Sequence, residues 1–370
     1  MPNPLISVNL LLYRPGFYLE PCLRSILAQG YDNFELLIID NNSGDGTAER
    51  AQEIINEAQQ KSAKSPFYKI IINKKNLGFA GGHNLGIRES KGSLVVMVNQ
   101  DVILDSDFLK QAAEVFNDTG IDSAQAKILR LKVDNECLIK TDIIDTTGLV
   151  ILKNRRIIAR GQGRQDIGQY DKMEEIFGVD GALPIYRRAA LEDTKISVRL
   201  RSVQGRASAD AQNYSQIKDL DNFGEYFDED FYMYKEDVDV AWRMRLYGRK
   251  AYYSPRVIAW HARTAGESAA INYFGIIRER LKVNAFGKYH SFKNQRLMQI
   301  KNEQLRLFFK HLIYWLPKEI ASWTYVILFE HYTWRAIKDL FTQAPTAWQK
   351  RKIIMAKKTV SDKDAEKWFK

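Results

Sequence analysis

Residues 34–47 read FELLIIDNNSGDGT, and their reading decides the fold. The apolar run 34–39 has the composition of a buried strand, and it ends on Asp40. The loop that follows is built of turn formers and leads into a helix from Ala48. Before this unit, ISVNLLLY at 6–13 is a second apolar strand, broken by Arg14, Pro15 and Gly16, and 18–28 has helical spacing. After it, 69–72 and 94–98 supply two more strands. Strands alternating with helices in this way predict an α/β fold, a Rossmann-like and mostly parallel central sheet flanked by helices. In such sheets ligands bind beyond the carboxyl ends of the strands, so the polar residues at those ends are the candidates for function.

Asp40 is the first. A carboxylate there suits a nucleotide base or a ribose hydroxyl, and equally an N-cap or Asx turn. The second candidate is NKKNLGFAGGHNLGI at 73–87, where Gly78, Gly81, Gly82 and Gly86 permit close backbone approach and Asn76, His83 and Asn84 bring polar groups. It spells neither a dinucleotide fingerprint nor a P-loop. The third is MVNQDVIL at 97–104. Asp101 lies between two apolar runs, where solvation does not explain it. Mg²⁺ or Mn²⁺ bound by one or two carboxylates plus substrate phosphates would. Downstream, 250–260 reads as a strand that delivers His261, a competent ligand for the same ions.

The stretch FDEDFYMYKEDVDVAWRMRLYG at 227–248 carries six carboxylates, Asp228, Glu229, Asp230, Glu236, Asp237 and Asp239, among aromatic residues. Burial beside aromatics makes charge costly, so the cluster calls for a cation, a proton or a reaction. The alternative is a surface helix from Glu236 whose acidic first turn complements the helix dipole.

The 370 residues suffice for one large or two moderate domains. Two cysteines, Cys22 and Cys137, form no disulfide framework and no metal motif, which fits a reducing compartment. The N-terminus has no basic n-region, so no signal peptide is expected. The formal charge of +10 is confined to 288–370, which holds 17 Lys and Arg against 7 Asp and Glu and five of the seven tryptophans. This split predicts two regions, 1–287 and a basic helical region 288–370. Helical spacing from Leu305 to Leu316 predicts a helix ended by Pro317. Within 288–370 the longest charge-free run, 10 residues, is too short for a spanning helix, which needs about 20. Aromatic-rich basic helices suit the surface of an anionic membrane; a helical cap on the catalytic domain is the alternative. No nucleic-acid recognition motif is present. Residues 195–222 read as a mobile insertion.

Taken in order, ISVNLLLYRP, DNNSGDGT, NLGFAGGHNLGI, NQD at 99–101, VDGALPIYRR, FDEDFYMYKEDVDVAWR and His261 with Ser268 behind it resemble the family 2 glycosyltransferases of GT-A fold, and among them the rhamnosyltransferase-like branch that builds surface polysaccharides. The resemblance covers roughly 6–289 and implies, within 1–287, a nucleotide-sugar half (about 1–105) and an acceptor half (about 106–287). It implies an inverting hexosyltransferase, cytoplasmic and peripheral at the inner face of the cell membrane. A dTDP- or UDP-sugar, with dTDP-rhamnose foremost, is the implied donor, and a saccharide or lipid-linked saccharide the acceptor. Asp40 would meet the base, and Tyr13, Asn42, Asn76, Gly78 and Asn84 would line the donor. Asn99, where the family often has Asp, would face the ribose. Asp101 and His261 would hold Mg²⁺ or Mn²⁺. Asp237 would be the catalytic base with Glu236 as the fallback, and Asp180, Gly181 and Trp242 would sit on the acceptor side. Single inverting displacement needs one base and a neutralised leaving diphosphate, and both are accounted for in this set. A paired-carboxylate glycosidase needs neither the nucleotide site nor the metal pair. A nucleotidyltransferase would want an early basic phosphate loop, for which Arg14 stands alone. A catalytically silent scaffold has no need of Asp101, Asp237 and His261 together.

Overall fold

The computed structural model describes residues 3–61, 66–197, 224–263 and 269–370. Residues 198–223, most of the expected 195–222 insertion, and Ser268 lie outside the described residues. The strands are β1 (Ile6–Leu12), β2 (Phe34–Asp40), β3 (Phe67–Ile72), β4 (Leu94–Asn99), β5 (Val102–Leu104), β6 (Ser123–Asp134), β7 (Cys137–Thr146), β8 (Leu149–Ile151), β9 (Ile157–Ala159), β10 (Glu174–Ile176), β11 (Pro184–Arg187) and β12 (Ala251–His261). The main sheet runs β10-β12-β6-β11-β4-β1-β2-β3, with β5 beside β12 and β7 beside β6. Pairing is parallel from β4 through β1 and β2 to β3 and again between β12 and β6, while β11 is antiparallel to both neighbours. The expected α/β, mostly parallel sheet is therefore present.

Strand β1 explains the centre. Ile6, Val8, Leu10 and Leu12 are wholly buried on one face, and Ser7 and Asn9 are wholly buried on the other. A parallel strand covered on both faces is buried throughout, and its polar groups need partners; Ser7 donates to Glu35 at 2.6 Å. The register sets Leu12 opposite Asp40 and Leu11 opposite Asn99. The strand ends carrying Tyr13, Asp40 and Asn99 thus share one edge of the sheet.

The glycines of 78–86 serve packing. Within the helix Gly78–Glu89, a Cβ on Gly82 would lie 2.5 Å from Leu11, so glycine lets the helix settle onto β1. At Gly78 φ is +71°, and a Cβ would lie 2.4 Å from the Tyr232 carbonyl oxygen. Close approach here is to the sheet and to the acidic segment.

The compositional break at 288 falls inside the helix Ala285–Asn302. Leu297, Met298, Leu307, Leu340, Ile354 and Phe369 from the basic region share one apolar core with Ile151, Phe177 and Trp242, and Lys153 N–H donates to the Lys370 carbonyl at 2.8 Å. The helical C-terminal region is thus built into the first. Pro317 does not end a helix. The chain breaks earlier, at His311, between the helices Leu305–Lys310 and Leu312–Phe329. His311 is pinned by Arg155 at 3.0 Å and by Glu366 at 3.3 Å, and this tertiary anchoring, invisible in local propensity, sets the break.

Candidate active site

Two groups of charge meet beyond the strand ends. In the first, β12 ends at His261 and the turn after β4 carries Asp101. His261 Nε2 lies 3.4 Å from Asp101 Oδ1, and Nδ1 lies 2.9 Å from Asp145 Oδ2. Asp145 sits at the end of β7, wholly buried, and also receives the Arg263 guanidinium. Burial works against the imidazolium, but Asp101 and then Asp145 outweigh it and raise the His261 pKa to about 10. Burial likewise opposes the Asp145 carboxylate, and Arg263 and His261 overcome it, drawing the pKa down to about 2.

The second group lies at the start of the helix Glu236–Leu246. Asp237 Oδ2 accepts from Gly181 N–H at 3.0 Å and Oδ1 from its neighbour Val238 N–H at 2.7 Å. Burial first, and the Asp180 charge second, raise the Asp237 pKa to about 6 against the opposing pull of Lys235. Glu236 is buried, with Oε2 lacking a hydrogen-bond partner; burial and the Asp237 charge push its pKa well above the usual carboxylate range. Arg263 joins the groups, its guanidinium 3.7 Å from Asp180. Asp101, His261, Asp145, Arg263 and Asp180 therefore form a line of alternating charge that ends beside Asp237.

Asp101 and His261 fit a divalent ion as two of its ligands, provided the ion takes the place of the Nε2 proton, since only the neutral imidazole ligates. Their 3.4 Å approach is close to the separation of neighbouring ligands at about 2.1 Å from one ion, and the Asp145 carboxylate on the other ring nitrogen is the usual support for a ligating histidine. Among the described residues no group of three or more His, Cys, Asp or Glu forms a metal cage, as suits an ion that completes its shell with phosphate and water.

The other expected residues fall into two sets. Tyr13 is exposed at the end of β1, its backbone held by Gln100 at 2.7 Å and 3.2 Å. Asp40 accepts from Ser43 N–H at 3.0 Å, the Asx turn read from sequence as one of its two roles. Asn42 has φ +65° in the same loop. Asn99 is partly exposed, and Asp180 Oδ1 caps Ala182 N–H at 3.0 Å. These five stand around the site, with Asp40 buried. Three others are already engaged within the protein. Asn76 Oδ1 accepts from Asn41 and from Gly78 N–H. Wholly buried Asn84 exchanges two hydrogen bonds with the Phe227 backbone, at 2.8 Å and 2.9 Å. Trp242 is buried against Phe369, ring centroids 5.7 Å apart. Asn76 and Asn84 thus hold the loop 73–87 and the acidic segment in place, and Trp242 belongs to the core.

Of the six carboxylates in 227–248, Asp228, Asp230 and Asp239 have their cations inside the chain. Lys301 Nζ reaches Asp228 at 2.5 Å and Asp239 at 2.8 Å; Lys350 Nζ reaches Asp228 at 2.6 Å and Asp230 at 3.1 Å. Among the described residues Glu236 and Asp237 have no such cation partner, and burial raises the pKa of both.

Sequence reading missed Asp145, Arg263 and Asn294. Only two isoleucines precede Asp145, after Lys140, Thr141 and Asp142, so no apolar run marked it; Asn294 had no signal either. Its amide nitrogen lies 2.9, 2.8 and 2.8 Å from the carbonyls of Phe231, Met233 and Tyr234. It thereby holds a segment in which Tyr232, Tyr234 and Lys235 all have positive φ, of +63°, +72° and +76°. Such backbone is costly and must be held by its surroundings. Asn294→Ala is expected to lower kcat by ~10²-fold through misplacement of Asp237, with donor affinity retained. Steady-state kinetics beside nucleotide titration checks this, and an unchanged kcat would leave Asn294 a structural residue only.

The glycosyl transferase family 2 model matches residues 13–194, about half of the chain. Residues 13–194 are a glycosyl transferase family 2 domain. The family 2 domain is similar to an uncharacterized glycosyltransferase of Haemophilus influenzae, 28% identical over 134 residues, 36% of this chain and 39% of that one. A poly-beta-1,6-N-acetyl-D-glucosamine synthase of Staphylococcus epidermidis is 23% identical over 328 residues, 87% of this chain and 63% of that one. The chain thus spans less than two thirds of the length of these curated relatives. The S. aureus TarS 1-349 structure in complex with UDP-GlcNAc superposes with a TM-score of 0.50 at 14% identity, covering 95% of this chain and 90% of that one. This likeness concerns the fold, which is GT-A.

Proposed function

We propose that this chain is an inverting glycosyltransferase that moves a hexose from a nucleoside-diphosphate sugar to a hydroxyl of a saccharide or lipid-linked acceptor in cell-surface polysaccharide synthesis. The observation that carries the reading is the charged line from Asp101 and His261 to Asp237 at the carboxyl edge of a family 2 domain. Asp40, Asn42, Tyr13 and Asn99 receive the nucleoside. Asp101 and His261 would hold Mg²⁺ or Mn²⁺, which when bound neutralises the departing diphosphate. Asp237 takes the acceptor hydroxyl proton as that oxygen bonds to the anomeric carbon and the bond to the diphosphate oxygen breaks. Its two backbone donors fix the carboxylate, and its pKa of about 6 leaves it ionised at neutral pH yet basic enough to work. Burial and the Asp237 charge favour the neutral form of Glu236, which puts Asp237 ahead of it as the base. Asp180 and Gly181 border the acceptor.

The resemblance to the rhamnosyltransferase-like branch makes dTDP-rhamnose the first donor to try and UDP-sugars the second. The basic C-terminal region would bring the protein to the inner face of the cell membrane as a peripheral enzyme. Among the described residues no helix is long and apolar enough to cross a membrane.

The deciding experiment is calorimetric titration of UDP and dTDP, with and without Mn²⁺, into the wild type, Asp101→Ala and His261→Ala. Mn²⁺-dependent binding weakened at least about tenfold in both variants is expected, from the loss of a charged ligand. Binding indifferent to Mn²⁺ and to both substitutions would remove the metal assignment. No binding of either nucleotide would favour a silent scaffold.

A further inference from the structure

Two helices of the C-terminal part have their polarity reversed. In Tyr273–Lys282 the charges Glu279 and Arg280 turn inward, Glu279 to Arg156 at 2.5 Å and Arg280 to Glu330. Phe274, Ile277 and Leu281 face outward, Phe274 with 89% of its surface exposed. In Leu312–Phe329 the only charged residues, Lys318 and Glu319, lie on the inner side, where Glu319 meets Arg296 at 2.7 Å. Ile313, Leu316, Ile320 and Ile327, exposed at 74%, 39%, 58% and 45%, fall at helical spacing on the outer side. A helix facing water shows the opposite pattern, and exposed apolar faces of this extent mark contact with another apolar phase.

The charge around these faces selects the partner. Every acid in 269–341, Glu279, Glu303, Glu319, Glu330 and Asp339, is buried or half-buried beside a cation. Arg278, Lys282, Arg306 and Lys338 remain exposed. The surface is therefore apolar with an exclusively cationic rim. A second copy of the chain would bring like charge against like, whereas an anionic bilayer offers hydrocarbon at its boundary and negative headgroups above it.

We propose that the outer faces of the helices Tyr273–Lys282 and Leu312–Phe329 together form a docking surface for anionic lipid. Phe286, just beyond the first of these helices and 45% exposed, lies 6.1 Å from the ring of Tyr232 and 6.5 Å from that of Tyr234, in the segment that leads to Asp237. If the transferase reading holds, docking therefore sets the acceptor side of the site against the bilayer, where a lipid-anchored saccharide is presented.

The test is co-sedimentation of the full chain with vesicles of phosphatidylglycerol and phosphatidylcholine mixed, against phosphatidylcholine alone, with no donor or acceptor present, so that failure here leaves the transferase reading untouched. Binding to the anionic vesicles, weakened by salt, is expected. Phe274→Glu and Ile320→Glu, both on exposed surface, are each expected to weaken partitioning by roughly tenfold or more while nucleotide binding in solution is retained. Absence of binding at low salt, or equal binding by both variants, would overturn the proposal. So would a concentration-dependent dimer in sedimentation velocity that these substitutions abolish, since it would assign the face to a second copy.

Discussion

Asp237→Asn is expected to lower kcat by ~10²–10⁴-fold, the usual contribution of a general base, while leaving nucleotide affinity near the wild-type value. Glu236→Gln is expected to change kcat far less. The contrast follows from the environments of adjacent carboxyls. Glu236 is buried without a partner for Oε2, and burial and the Asp237 charge favour its neutral form, which the amide mimics. Asp237 is partly exposed, receives two backbone N–H groups and titrates at about 6. The base works only when ionised, so wild-type kcat should rise as pH passes upward through about 6 and level off above it. Asp180 is the second cause of the raised pKa. Asp180→Asn should therefore move the acid limb to lower pH, because removing a neighbouring negative charge favours the carboxylate. Steady-state kinetics of the three variants across pH 4.5–8, roughly the span around that pKa, checks all of this. An Asp237→Asn enzyme within a factor of about ten of the wild type would displace Asp237 from the role of base.

What the sequence disclosed follows from the range of the interactions concerned. Strand β1 and strand β2 were legible because burial on both faces leaves a run of apolar residues in one place. Asp101 was legible because it interrupts such a run, and Glu236 and Asp237 because acids crowd the start of a helix. The line joining them was not. Asp145 and Arg263 meet across 118 positions, and Asn294 reaches Tyr234 across 60; no local pattern encodes either contact. The acidic stretch called for a cation, a proton or a reaction, and for Asp228, Asp230 and Asp239 the structure supplies the cation, from partners that no local pattern shows. The cations that neutralise Asp228, Asp230 and Asp239 come from the basic region, 62 to 122 positions away. The charge split at 288 looked like a boundary between regions, yet the same lysines are what bind the two together.

Lys301→Met is accordingly expected to destabilise the fold by ~3–5 kcal/mol, the cost of leaving buried charge without its partner. Lys301 Nζ lies 2.5 Å from Asp228 and 2.8 Å from Asp239, and all three side chains are buried. Asp228 would keep Lys350, and Asp239 would keep Arg243 at 3.2 Å, but one negative charge would be left over in a site closed to water. Lys301→Met with Asp239→Asn removes the surplus and should recover part of the loss, as groups sharing one network are not additive. The pH dependence has a definite sign. Burial opposes the Asp228 carboxylate, but Lys301 and then Lys350 hold its pKa well below the usual range. Its contribution is thus full above the unfolded carboxylate pKa, about 3.9, and is lost as pH falls towards the depressed folded value. Weakening that network should therefore flatten the acid side of the stability profile. Urea unfolding of the wild type and the two variants between neutral and acid pH measures both effects. A loss below about 1 kcal/mol for Lys301→Met would mean that the pair contributes no more than an exposed ion pair. Because residues 228–235 lead directly into Asp237, the same substitution should also lower kcat at temperatures where the protein remains folded. The basic region would then act on catalysis from beneath the active site.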